Sequence, residues 1–110
     1  MNWIDYDKGS TINTIGSESG KIITDIEHIS GARITIEKGG TIAPYSLTLG
    51  IYGLMFHTEF AKTPEEINTY ASFAKLKIEE IFLLHEVAEE NRDEQWNNQL
   101  SRLLDELTNW

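Results

Sequence analysis

The chain has 110 residues, 40% of them apolar and 25% charged, proportions that suit a single domain spanning 1–110 with its own hydrophobic core. It has no cysteine, which excludes disulfides, thiolate metal sites and cysteine nucleophiles and suits a reducing cytoplasm. The formal charge of −9 is uneven, a net −2 over residues 1–63 and −7 over residues 64–110. With no basic patch, it argues against direct binding to nucleic acid or to anionic membranes and favours a basic protein partner.

No apolar run reaches the length of a membrane span. The opening residues Met1 to Asp7 lack the basic and apolar regions of a signal peptide. Residues 1–20 read mostly as loop. Trp3, Ile4 and Tyr6 suit a short edge strand, and Gly9 to Gly20 is rich in Gly, Ser, Thr and Asn.

Lys21–Ile29 and Arg33–Lys38 read as a β-hairpin rich in isoleucine and threonine. A two-residue loop would mix acids and apolar residues on each face. A three-residue loop of Ser30, Gly31 and Ala32 sets Ile26 opposite Ile36 and His28 opposite Ile34. Asp25, Glu27, Arg33, Thr35 and Glu37 then share the other face. In that register Asp25 opposes Glu37, an unfavourable like-charge pair that Arg33 relieves diagonally.

Gly39-Gly40 breaks the pattern, and a third strand is expected between Ser46 and Phe60. Leu47, Leu49, Ile51 and Met55 point one way, and Tyr52, Leu54, Phe56 and Phe60 the other, which suggests a central strand. Gly50 and Gly53 leave open whether it is one bent strand or two. Thr63-Pro64-Glu65-Glu66 is a helix start with a cap, a first-turn proline and a capping box. The helix is expected to run to about Glu90 with two apolar stripes. Ile67, Tyr70, Ala71, Ala74, Ile78, Ile81, Phe82, His85 and Ala88 lie on one. Phe73, Leu76, Leu83, Leu84 and Val87 lie on the other, where a second helix (Trp96, Leu100, Leu103, Leu104, Leu107) or another subunit would bury Leu76 and Leu83. The expectation is an α+β fold: an antiparallel sheet made of a hairpin and a central strand, a long helix on it, and a C-terminal helix covering that helix.

Two clusters carry candidate chemistry. Asp25, Glu27, Arg33 and Glu37 form a polar hairpin face suited to a basic side chain of a partner. His57 and Glu59, two apart on a strand, project to one side and offer an acid–base pair or half a metal site that His28 or Asp25 would have to complete. His85 on the long helix reads as a core histidine. No phosphate loop, dinucleotide fingerprint or zinc-protease pattern is present, so no cofactor or metal is expected and no catalytic residue can be assigned.

The segments Asp25-Ile-Glu-His-Ile-Ser-Gly-Ala-Arg-Ile-Thr-Ile-Glu37 and Gly50-Ile-Tyr-Gly-Leu-Met-Phe-His-Thr58 resemble a family of small bacterial proteins of uncharacterised function. The resemblance spans Asp25 to Phe60 and implies no activity. In size, acidity and lack of cysteine the chain is also similar to immunity proteins of bacterial toxin systems. The leading expectation is a cytoplasmic, non-enzymatic protein-binding module. The alternatives are a small-molecule or metal-dependent enzyme with a site near Glu27, Arg33, His57 and Glu59, and a homo-oligomeric structural protein.

Overall fold

The computed structural model describes residues 2–110. Five strands precede two helices: β1 (Trp3–Asp5), β2 (Lys21–His28), β3 (Ala32–Lys38), β4 (Tyr45–Ile51), β5 (Met55–Ala61), α1 (Pro64–Leu84) and α2 (Glu94–Thr108). The strands form one antiparallel sheet in the order β1-β2-β3-β4-β5, so the fold is α+β. The chain divides into two compact units, residues 1–71 and 72–110. No helix is long and apolar enough to cross a membrane.

In the first unit the alternation of each strand sorts its side chains onto two sheet faces. Ala32, Ile34 and Ile36 of β3 and Leu47, Leu49 and Ile51 of β4 share one face and are all buried. This inner face is the apolar core. The outer face carries Asp25, Glu27, Arg33, Thr35, Glu37, Thr48 and Thr58.

The β2–β3 hairpin keeps the expected faces but not the expected register. Ile26 opposes Ile34, Asp25 opposes Thr35, Glu27 opposes Arg33 and His28 opposes Ala32. The loop is therefore Ile29-Ser30-Gly31. Gly31 takes the left-handed position with φ +108°, its N–H donating to the His28 carbonyl at 3.0 Å. A three-residue hairpin loop wants glycine at that position, and this moves Ala32 out of the loop and into the core. The shift is by two residues, an even number, so every side chain keeps its face while its partner changes. Asp25 does not oppose Glu37. An irregularity between Ile22 and Thr24 places Glu37 opposite Ile22.

Residues 46–60 are two strands, joined by Tyr52-Gly53-Leu54, with Gly53 at φ +75°. The central one, β4, is apolar on the inner face only, because Ser46, Thr48 and Gly50 face outward. β5 is an edge strand. β1 is the short edge strand expected within residues 1–20.

α1 begins as expected. The Glu66 N–H donates to the Thr63 hydroxyl at 3.2 Å. It ends at Leu84, short of Glu90, and a turn at Glu89–Asn91 precedes α2. Of the first stripe, Ile67, Tyr70, Ala71, Ala74, Ile78 and Ile81 are buried, Phe82 and His85 are half-buried, and Ala88, beyond the helix end, is exposed. The second stripe departs from expectation: Leu76 is 67% exposed and Leu83 62%. Within the second unit α2 meets α1 to one side of them. The Trp110 ring lies 4.7 Å from that of Phe73, Lys77 pairs with Glu106 at 2.5 Å, and the Trp96 indole donates to the Leu84 carbonyl at 2.8 Å. Phe73, Lys77 and Leu84 form a helical ridge that excludes Leu76 and Leu83. His85 is held by the Ile81 carbonyl at 2.8 Å and by the Trp96 ring.

The contrast between these leucines is measurable. Leu103, fully buried, should cost about 2–4 kcal/mol on substitution by alanine, from lost burial and a residual cavity. Leu76→Ala should change stability by less than about 0.5 kcal/mol. Urea melts of the two variants check both values.

Candidate functional site: the outer face of the sheet

The outer face is built around a buried carboxylate. Asp25 is 1% exposed. The Arg33 guanidinium reaches it diagonally across the hairpin, Nε to Oδ1 at 2.9 Å and Nη2 to Oδ2 at 2.7 Å. The Thr35 hydroxyl donates to Oδ1 at 2.9 Å and the Thr11 hydroxyl to Oδ2 at 2.7 Å. Burial alone would raise the Asp25 pKa. The hydrogen bonds from Arg33, Thr11 and Thr35, with the charge of Arg33, outweigh it and hold the carboxyl below its ordinary value. Arg33 is sandwiched in turn, its guanidinium carbon 3.5 Å from the centre of the Tyr6 ring.

Glu37 is buried to the same degree and is satisfied by backbone. Its carboxylate accepts from the Glu18 N–H at 3.1 Å and the Gly20 N–H at 3.0 Å. Gly16 lies so close that a Cβ there would overlap the Glu37 carboxyl. Only glycine permits that approach. The segment between β1 and β2 is thus clamped over the sheet by Asp25 at one point and Glu37 at another. Its course requires left-handed backbone at Asp7, Lys8, Asn13 and Ser19, all non-glycine residues. Each carries a conformational cost of roughly 1–2 kcal/mol that the clamps offset.

Between this segment and the strands lies an open cleft of about 470 Å³. Thr11, Thr14 and Ile15 line one side, Arg33, Thr35 and Glu37 the floor, and Tyr52 and Phe56 the other side. Phe56 is 83% exposed, and Ile15 and Tyr52 are exposed as well. The Tyr52 hydroxyl donates to Glu27 at 2.5 Å. Burial and then that hydrogen bond and negative charge push its pKa up to about 12, so the phenol stays protonated near neutral pH.

The second candidate pair lies elsewhere. His57 opposes Leu49 and Glu59 opposes Leu47, which places both on the inner face, opposite Glu27 and Arg33. A combined site of Glu27, Arg33, His57 and Glu59 does not form. His57 Nε2 and Glu59 Oε1 are 2.9 Å apart, and the Tyr70 ring stands 6.5 Å from that of His57. Burial and the charge of Glu59 raise the Tyr70 pKa, which keeps its hydroxyl neutral. His28 is buried on the hairpin, its Nδ1 accepting from the Ser30 N–H at 2.9 Å. Among the described residues no group of three or more histidine or acidic side chains is placed to hold a metal ion.

Asp25, Arg33 and Thr35 were legible from strand alternation. Tyr6, Thr11 and the amides of Glu18 and Gly20 were not, because no periodic pattern links an irregular segment to a strand it later covers. Comparison with protein-family models, curated proteins and solved structures finds no match.

Asp25→Ala should destabilise by about 2–3 kcal/mol at pH 7, since it strands a partly buried guanidinium and two hydroxyls. The folded-state pKa of Asp25 lies below the ordinary value of 3.8. Its contribution is therefore complete above that value and is lost as pH falls through the folded pKa. Denaturant melts of both proteins from pH 7 downward should show the wild-type advantage shrinking only below about pH 4; an advantage that is flat with pH contradicts the ionised pair.

Proposed function

We propose that this chain is a non-enzymatic protein-binding module that engages a basic partner through the outer face of its sheet, in the manner of immunity proteins that occupy a toxin's surface. The observation that carries the reading is the cleft: exposed Tyr52, Phe56 and Ile15 frame it, and Glu27, bonded to the Tyr52 hydroxyl, places beside it a carboxylate that no ion pair among the described residues neutralises. Aromatic side chains and the Glu27 carboxylate beside them suit a lysine or arginine presented by another protein. The chain's net charge of −9 attracts such a partner.

The buried groups support binding over catalysis. Asp25 has its oxygens occupied by Arg33, Thr35 and Thr11, and Glu37 has its own held by backbone amides. Groups so held are anchors, and a proton-transfer role would require breaking those bonds.

Capture from the native host, with wild type and Glu27→Lys as parallel baits, tests the reading. A basic protein should be retained by wild type. Its association rate should fall by roughly tenfold between low and physiological ionic strength, and Glu27→Lys should slow it further while leaving the fold intact. A captured partner whose binding responds neither to salt nor to Glu27→Lys would remove this face from the functional account.

A further inference from the structure

The two edges of the sheet are not equivalent. β1 has three residues, and short edge strands offer little to pair with. β5 has seven residues, Met55–Ala61, and β4 is its only strand partner among the described residues. It has no proline, no lysine or arginine and no irregularity in its register with β4, and its one charged residue, Glu59, has a histidine two positions away that a second copy would set opposite it. All but Ala61 retain solvent exposure.

The order of side chains along this edge is self-complementary. Around Thr58 the strand reads Phe56-His57-Thr58-Glu59-Phe60. In an antiparallel pair of identical strands with a two-fold axis at Thr58, each His57 stands opposite the second copy's glutamate and each Phe56 opposite the second copy's Phe60. His57 and Glu59 lie on the inner sheet face, and Phe56 and Phe60 on the outer face, so both pairings form on a consistent side. A register shift of two residues, to an axis at His57, sets His57 opposite itself and Phe56 opposite Thr58 and loses both pairings, so the sequence selects one register.

We propose that β5 is a homodimerisation edge, joining two copies into a continuous ten-stranded sheet with the two-fold axis at Thr58. The occupant is a second copy because the histidine–glutamate pairing and the aromatic pairing both arise from the same palindromic order. An interface of this kind is isologous and closes after two chains. It shares Phe56 with the wall of the cleft but uses none of Glu27, so the two readings are tested by different variants.

Sedimentation of the full chain over a wide concentration range, with disulfide trapping, tests the proposal. Wild type should sediment as a dimer that dissociates on dilution. Glu59→Lys, which removes the acceptor facing each His57 and so loses both cross-interface hydrogen bonds, should raise the dissociation constant by about tenfold or more. The double variant His57→Glu/Glu59→Lys should recover most of that loss. The chain has no cysteine of its own. Thr58→Cys should therefore trap a covalent dimer, because facing Cα atoms in an antiparallel pair are about 4.5–5.5 Å apart, within disulfide reach. Phe60→Cys should not, because each such residue would be displaced from its copy by four positions, roughly 13 Å along the strand. A monomer at every concentration, a dimer indifferent to Glu59→Lys, or trapping by Phe60→Cys as fast as by Thr58→Cys would overturn the proposal. The trapping pair decides the matter even if Glu59→Lys fails to fold.

Discussion

A carboxylate cannot be buried at a sheet surface without donors aimed at it, and this protein buries two on the same face. Asp25 and Glu37 are each 1% exposed. Arg33, Thr35 and Thr11 satisfy the first, and the amides of Glu18 and Gly20 the second. From that requirement follow the path of the segment between β1 and β2, its left-handed residues, the close approach of Gly16, and the cleft that remains where the segment does not reach the strands. An irregular stretch of polar residues becomes ordered because it supplies hydrogen bonds that the sheet cannot supply to itself.

The outer face therefore has two kinds of acid. Asp25 and Glu37 hold the structure together, and Glu27, bonded to the exposed Tyr52, stands at the rim with no ion-pair partner among the described residues. The inner face is apolar except at its margin, where His57 and Glu59 pair near the β5 edge. The same two residues that fail as half of a composite site with Arg33 become, in the palindromic order of β5, the polar pair of a two-fold interface. Cleft and edge meet at Phe56, which stands at the wall of the one and on the strand of the other.

Much of the fold was legible because period-2 and helical patterns report burial directly. The two hairpin faces, the cap at Thr63 and the buried stripe from Ile67 to Ile81 all follow from such patterns. Partner identity across the hairpin was less legible. Face assignment depends only on the parity of the register, whereas the opposing residues depend on where the loop closes, and Gly31 closes it one residue earlier than expected. Leu76 and Leu83 look like core from their spacing, but α2 seats on the neighbouring ridge of Phe73, Lys77 and Leu84, a choice made by Trp96, Trp110 and Glu106 on a distant segment. The cleft was invisible for the same reason: Thr11 and the Glu18 amide meet their carboxylates across 14 and 19 residues of chain with no periodic signal.

The central claim is that buried carboxylates clamp an irregular segment onto the sheet, and the amides of Glu18 and Gly20 report it most directly. Both lie outside the strands, yet both donate to Glu37. Native-state hydrogen exchange should find these two amides protected to nearly the level of the β3 core, with protection lost together in Glu37→Ala. Exchange of both at the rate of an open loop in the wild-type protein would contradict the clamp, and with it the account of how the cleft is built.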